Sequence, residues 1–273
     1  MMNIPPFWVR ERREILGRRI RLRGLSHHSQ QEAEELMAER ARMWHDFLSG
    51  VGSADRAEAF RAGLRQLDAC SEPYSAAILE PIEQQPDAHN IITRNRYGCR
   101  VLNTVSLCFV DVDRFRGGFW SSLFGGRSKE GALLAQALRA LCEKDSGLSA
   151  RLYKTAHGWR VILKGEGLTI GSAREDELFA ALQADPMYTK LCRSQRCWRA
   201  RLSPKPFYRG LKRYPLPQHA GERADEWIAA YEKATSGLAV CRLVDCFGPT
   251  LRDPMVELHD AETQALKPDM ELA

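Results

Sequence analysis

"SLCFVDVDRF" (residues 106–115) is an apolar run that ends in two aspartates one residue apart, Asp111 and Asp113. A nearly continuous apolar segment of this kind reads as a strand buried on both faces, central in a sheet. Side chains at i and i+2 of an ideal strand share one face, so the two carboxylates point the same way. Where such a strand leaves the core at a cleft, paired carboxylates offer hard oxygen ligands to Mg²⁺ or Mn²⁺, the ions that carry phosphates in nucleotidyl transfer. Asp111 and Asp113 are therefore the candidate catalytic and metal-binding residues. The competing reading is a strand end whose aspartates solvate or cap the next loop. The phosphatase pattern D-x-D-x-T is excluded, because Arg114 and Phe115 follow. A sugar-nucleotide D-x-D is the other pattern of this type.

Outward from this strand, helices alternate with hairpins. "NIITRNRYGCRVLNT" (90–104) reads as a hairpin turning near Tyr97-Gly98. "RFRGGFWSSLFGGRSK" (114–129) holds four glycines and reads as a mobile loop. "KEGALLAQALRALCEKD" is an amphipathic helix. "ARLYKTAHGWRVILKG" is strand, turn at His157-Gly158, strand. "EDELFAALQADPMYTKLC" is helical with an interruption at Pro186, and "CWRARLSPKPF" begins as a strand that stops at Pro204. "GERADEWIAAYEKATSG" and "PMVELHDAETQALK" are two further helices. Near the N-terminus, "RRIRLRGL" alternates arginine with Ile20 and Leu22, a strand with one buried face. The helix after it has Ser29 as N-cap and Glu32 three residues on, a capping-box spacing. Residues 50–90 are less patterned, with Pro73, Pro81 and Pro86 breaking any long element.

The order β-α-β-β-β-α-β-β-α-β-α predicts an α+β fold: a mixed, mostly antiparallel sheet packed with helices. Three regions are expected: an N-terminal strand-helix region over 1–90, a core sheet over 91–215 and a C-terminal helical region over 216–273, all within reach of a single domain. A chain of 273 residues with 44% apolar and 27% charged residues has enough apolar surface for a real core. No apolar run is long enough to span a membrane, and the N-terminus has no signal-peptide core. The eight scattered cysteines fit reduced thiols in a cytoplasm. Cys192 with Cys197 and Cys241 with Cys246 lack the C-x-x-C spacing of a zinc site. His27-His28 and His259-Asp260 are explained by a helix start and a helix surface.

Net charge is +5, so its distribution carries more information than its total. "YKTAHGWRV" places Lys154, Thr155, His157 and Arg160 around one glycine turn, where backbone N–H groups, a hydroxyl and cations are available to a phosphate. A polar hairpin tip is the plainer account of the same residues. The strongest charge signal is "KLCRSQRCWRARLSPKPFYRGLKR" (190–213): nine cations, with no acidic residue between Asp185 and Glu222. Trp198, Phe207, Tyr208 and Tyr214 are interleaved. Cations neutralise phosphates and aromatic faces stack on bases, so this stretch points to an anionic partner. Arg199 and Arg201 share a strand face, a spacing suited to clamping phosphate, with Lys205 just beyond.

"TRNRYG", "FVDVD", "YKTAHGWRV" and "CWRARLSPKP", in that order, resemble a widespread family of conserved bacterial proteins, a resemblance that covers most of the chain and supplies no activity. A strand ending in D-x-D, then a helix, then a glycine turn leading into a strand is also similar to the catalytic core of archaeo-eukaryotic primases and primase-polymerases, over about half the chain. That resemblance implies an RNA-recognition-like sheet with metal on Asp111 and Asp113. The family's second motif ends in a histidine that contacts nucleotide phosphate, and Arg160 stands at the matching position. Its third motif is a later carboxylate; "CWRARL" offers none, and Glu166 and Asp245 are the available substitutes. The expected function is nucleotide or nucleic-acid binding, with metal-dependent nucleotidyl or phosphoryl transfer if Asp111 and Asp113 are catalytic and Lys154, Thr155, His157, Arg160, Arg199, Arg201 and Lys205 bind phosphate. The alternatives are a non-catalytic nucleic-acid-binding module and a scaffold docking an acidic protein. The oligomeric state is left open.

Overall fold

The structure is a computed structural model, and it describes residues 7–50, 56–69, 82–87, 89–95, 97–113, 115, 127–211 and 222–273. Of the expected glycine loop at 114–129, only Phe115 and the start of the following helix are described; Lys212, Arg213 and Tyr214 lie outside the described residues.

The chain opens with an antiparallel hairpin, β1 (Phe7–Ile15) and β2 (Arg18–Ser26). Its two-residue turn places Leu16 and Gly17 at φ 48° and 73°, the doubly left-handed geometry that matches strand twist. β2 follows the expected alternation. β1 escapes sequence reading because Glu11 and Arg13 stand between Val9 and Ile15 on the same face. The pair hold each other by two hydrogen bonds, Arg13 Nε to Glu11 Oε1 at 3.0 Å and Arg13 Nη2 to Glu11 Oε2 at 2.7 Å. Ile15 and Leu22 pack on Met37 and Ala41 of α1 (Gln30–Ser49), with Val9, Ile20, Trp44 and Leu48 around them. Ser29 caps α1 as expected, its hydroxyl accepting from Glu32 N at 3.1 Å. The box closes one turn earlier than the pattern implies: the Ser26 hydroxyl donates to the Glu32 carboxylate and accepts from Ser29 N. Helix α2 (Arg56–Ala69) packs against α1, with Phe60 stacked on Phe47 at a centroid distance of 4.5 Å.

Two four-stranded antiparallel sheets follow. One has the order β3 (Ile82–Asp87), β4 (Asn90–Arg94), β5 (Arg100–Thr104), β9 (Trp198–Arg201). The other has the order β11 (Cys241–Phe247), β7 (Ser149–Thr155), β8 (Trp159–Lys164), β6 (Cys108–Val112). β6 and β7 both run antiparallel to β8, which lies between them, with α3 (Arg127–Lys144) as the connection; this is a split β-α-β unit. α3 covers one sheet face, and Gly131 lets it settle on the Trp159 ring, where a Cβ would lie 2.3 Å from the indole. α7 (Pro254–Thr263) covers the other, with His259 against Phe109 and Tyr153. The α+β architecture with mostly antiparallel sheets is thus as expected.

Several details differ. β6 ends its ladder instead of lying inside it, because α4 (Ala173–Ala181) and α5 (Pro186–Gln195) fold over its free edge. The helical break at Pro186 is where it was expected, and the residue before it joins the helix to the sheet: Asp185 caps α5 and donates its N–H to Asp111 O at 2.9 Å. The C-terminal region is not helical alone. Between α6 (Glu222–Thr235) and α7 it contributes β10 (Leu238–Ala239) and β11, and β12 (Glu271–Leu272) pairs with β10 in parallel. β3 likewise pairs with β4 across the 90/91 boundary, so the three regions share sheets. Among the described residues, no helix is long and apolar enough to cross a membrane.

Gly24 sets how closely the hairpin approaches α1. A Cβ there would sit 1.6 Å from Ala33 O and 2.9 Å from Met37 N, both backbone atoms that cannot swing aside. Overpacking typically costs about 1–3 kcal/mol, and a backbone clash lies at the upper end. Gly24→Ala is expected to lower the melting temperature and raise proteolytic cleavage of the hairpin; an unchanged melting curve would refute this packing.

Candidate functional site

The free edges of β6 and β9 lie side by side, and side chains complete them. Tyr188 of α5 donates its hydroxyl to Phe109 O at 2.8 Å and accepts from Arg199 N at 3.3 Å. Burial pushes the Tyr188 phenol well above its ordinary value, reinforced by Cys192 and Asp111 nearby, so it stays a donor. Arg160, across the ladder from Asp111 on β8, closes the next step of the seam. Its Nε donates to Asp111 Oδ1 at 3.2 Å, and its Nη1 donates to Arg201 O at 2.9 Å and to His259 Nε2 at 3.3 Å. Only 3% of the Arg160 side chain is exposed. Burial opposes its charge, but Asp111 outweighs that and the guanidinium is held above its ordinary pKa.

Behind Arg160 stands a fully buried imidazole. His259 accepts from Arg160 at Nε2, so its hydrogen is on Nδ1, which donates to Asp260 Oδ1 at 3.0 Å. Burial pushes His259 down to about 4; the hydrogen bond to Asp260 offsets only part of this, and the charge of Arg160 adds to it. Asp260 is in turn paired with Arg151 at 2.9 Å. The expected surface role for His259-Asp260 is therefore corrected: both side chains are interior. The signal was available in "PMVELHDAET", where His259 lies four residues after Met255 on the apolar stripe of the helix. Cys241 Sγ lies 3.9 Å from His259 Nε2, yet burial raises the thiol's pKa and leaves it no path to solvent.

The remaining expected residues divide between the interior and one end of the sheet. Arg199 and Arg201 do share a strand face, but they form no open clamp. Arg199 is 6% exposed, with its Nη1 on Gln195 Oε1 at 2.6 Å. Arg201 donates to Ser203 O at 3.1 Å and Ala273 O at 3.5 Å, and burial lowers its pKa. In the glycine turn, Thr155 Oγ1 accepts from Gly158 N at 3.0 Å, and Lys154 Nζ donates to Gly158 O at 3.2 Å while lying 4.3 Å from the centre of the Trp159 ring. These two hold the turn together. Gly158 is required because a Cβ there would meet Val112 O at 2.4 Å, so the turn rests directly on the end of β6 beside Asp113.

His157 projects from this turn, and its Nε2 meets Tyr208 OH at 2.5 Å. Tyr208 belongs to a single 3₁₀ turn, Pro206–Arg209, in which Phe207 is 56% exposed. The Phe207 and Tyr208 rings are 5.0 Å apart, and Lys205 Nζ is 5.6 Å from the Phe207 centroid. Cation, exposed ring, phenol and imidazole thus stand together at the end of β6, with exposed Asp113 at the neighbouring turn. Elsewhere in the basic stretch, carboxylates neutralise the charge: Arg193 pairs with Asp176 and Arg209 with Glu271.

The aspartate pair fits a divalent cation poorly. An ion on Asp111 would share its carboxylate with Arg160 and lie in the field of Arg201. Among the described residues no cluster of three or more histidine, cysteine, aspartate or glutamate side chains is arranged to hold a metal. Glu166 and Asp245 do not supply the missing carboxylate: Glu166 follows the far end of β8, and Asp245 lies on β11 beyond β7.

The buried histidine sets a pH dependence. The folded value of about 4 lies below the unfolded 6.5, so the unfolded chain binds more protons between the two. The stabilisation is therefore complete above pH 6.5 and lost as pH falls toward 4, by about 3 kcal/mol at most. His259→Gln, which keeps an acceptor for Arg160 and a donor for Asp260, should flatten the acid limb of the stability profile. An unaltered acid limb would show that His259 does not control it. Arg160→Ala should destabilise at every pH, by the roughly 3–5 kcal/mol typical of breaking a buried pair.

No protein-family model, no curated protein and no solved structure matches this chain.

Proposed function

We propose that this chain is a nucleic-acid-binding protein that takes a single strand at the 3₁₀ turn beside β6, with Asp111 serving as the counter-ion of the seam. One observation carries the proposal. Phe207 holds a large apolar ring in solvent, directly beside Tyr208, Lys205 and His157. A lone exposed ring needs no explanation, but a ring backed by a second ring and flanked by a lysine and an imidazole has the make-up of a base-stacking platform. Stacking contributes about 1–3 kcal/mol per base, and Lys205 supplies phosphate attraction. Six of the seven described cysteines are buried free thiols, which supports the cytoplasm as the compartment.

The primase resemblance supplies a second reading, metal-dependent nucleotidyl transfer with Mg²⁺ or Mn²⁺ on Asp111 and Asp113. The observation in its favour is Asp113, exposed at the strand end next to the platform. The two readings separate cleanly. Fluorescence anisotropy with a labelled single-stranded oligonucleotide should show binding at low salt, weakened roughly ten- to hundredfold by Phe207→Ala. Asp113→Asn should bind as tightly as wild type or slightly tighter, since it removes a charge that repels phosphate. Nucleotide incorporation with Mn²⁺ by wild type, lost in Asp113→Asn, would replace the binding module with the enzyme. Binding indifferent to Phe207, or binding only to an acidic protein, would reject the platform.

A further inference from the structure

The outer edge of β1 has no strand beside it among the described residues, since the hairpin is a sheet of two strands. Its two-residue turn closes on Ile15 and Arg18, so that pair exchanges both backbone hydrogen bonds. Bonded pairs recur at every second residue, so Arg13, Glu11 and Val9 direct their N–H and C=O groups at β2. Arg10, Arg12 and Glu14 direct theirs outward, and none of them makes a backbone hydrogen bond to a described residue outside the hairpin. Such an edge is a template for another strand, and charged residues normally discourage that pairing. Here the order of the charges favours it in one register. In "VRERREI" (9–15) the residue types complement one another about Arg12: Val9 with Ile15, Arg10 with Glu14, and Glu11 with Arg13.

We infer that β1 is a dimerisation edge, taken by the β1 of a second copy of this chain in antiparallel order about a two-fold axis at Arg12. The outward backbone groups then pair as Arg10 with Glu14, Arg12 with Arg12 and Glu14 with Arg10, each pair exchanging two main-chain hydrogen bonds. Between these, Glu11 of each copy faces Arg13 of the other at the closer, non-bonded spacing. Glu11 already holds Arg13 of its own strand, so these side chains form a ring of alternating charge across the axis. Val9 and Ile15 meet at either end. Among the facing pairs from 9 to 15, the like-charge contact is Arg12 against Arg12, and there each guanidinium is paired with Asp225 of its own α6. Moving the axis by one residue spoils the match. At Glu11 it sets Glu11 against itself and Arg10 against Arg12. At Arg13 it keeps Arg12 with Glu14 but sets Arg13 against itself and Glu11 against Ile15. Like charges directly opposite destabilise a sheet, so the charge order selects one register. A two-fold axis perpendicular to the sheet keeps α1 of both copies on the same side, so no side chain changes face. The dimer does not depend on what the platform binds.

The test is the association state of the full chain, measured by sedimentation velocity over a range of concentrations. Wild type should form a dimer that weakens at high salt, because Arg13 and Glu14 are exposed. Glu14→Arg sets arginine against Arg10, and Arg10→Glu sets glutamate against Glu14. Two-fold symmetry repeats each clash, so either variant should raise the dissociation constant by about tenfold or more. Glu14→Arg combined with Arg10→Glu exchanges the charges and should restore the dimer. The two single variants mixed in equal amounts should form a heterodimer, since each then faces its complement. These two arms separate a contact between copies from damage within the hairpin, where residue 10 faces Arg23 and residue 14 faces Arg19 of the same chain. Circular dichroism checks the fold of each variant, and where a single variant loses it the double variant decides. A wild type that stays monomeric at the highest concentration would overturn the inference. So would a dimer that both single variants leave intact, which would put the interface elsewhere. Folded single variants that do not associate when mixed, or a double variant that stays monomeric, would overturn it as well.

Discussion

Two buried strand edges that do not pair with each other must find other partners, and the way β6 and β9 do so determines much of this molecule. A carbonyl or amide sealed from water without a hydrogen bond costs about 1–3 kcal/mol, and an edge presents one at every second residue. Here Phe109 O, Asp111 O, Arg199 N and Arg201 O are taken by Tyr188 OH, Asp185 N and Arg160. The solution uses side chains in place of a ladder, so the two sheets are joined without being one sheet. It also explains why α4 and α5 are separate helices. The break at Pro186 brings the Asp185 N–H to Asp111 O and lays Tyr188, just beyond it, over Phe109.

The D-x-D follows from that constraint. A guanidinium placed in the seam to satisfy carbonyls brings a full positive charge into a low-dielectric interior, and such a charge needs a counter-ion. Asp111 is that counter-ion, and its position at the mouth of β6 leaves 37% of its side chain in contact with water. What the carboxylate faces on its inner side depends on Arg160, forty-nine residues away, which no local pattern announces. His259 completes the logic from the other side. A neutral imidazole accepts from Arg160 and hands its own hydrogen to Asp260, so the interior holds two ion pairs linked through an uncharged ring.

What the sequence made legible were features with local causes. Both inner hairpins, the Ser29 cap, the break at Pro186 and the amphipathic α3 are written in turn residues, capping side chains and periodicity. The features that escaped depend on distant partners. β1 hid because an ion pair occupies its inner face. β11 hid because its register shifts between Leu243 and Asp245, which breaks the alternation that marks a strand. β6 was legible as a strand but not as an edge, since its neighbour β9 lies nearly ninety residues downstream. Among the site residues, the end-of-sheet position of His157 and Lys205 followed from the turn and the basic stretch. The inward fate of Arg199 did not, because Gln195, four residues earlier, captures it from a helix whose last turn sets the approach.

The fold sorts the two arginine-rich stretches differently from their order in the sequence. The longer run, 190–213, looks like the stronger electrostatic signal, yet strand alternation and helix ends scatter it: Arg199 goes inside, Arg193 and Arg209 are neutralised, and Lys205 is the described cation that reaches the exposed rings. The shorter run, 18–23, looks like an ordinary half-buried strand, yet β1 answers it with arginines in register. Charge density along a sequence therefore measures potential poorly, because a sheet sorts every second residue to the opposite side. Which residues of two strands share a face depends on register. In the hairpin the two-residue turn fixes it, and Gly24 lets α1 close tightly over the face that carries Ile15 and Leu22. The pairing of Arg13 with Glu11 and the packing of Ile15 and Leu22 on α1 are thus two consequences of one register.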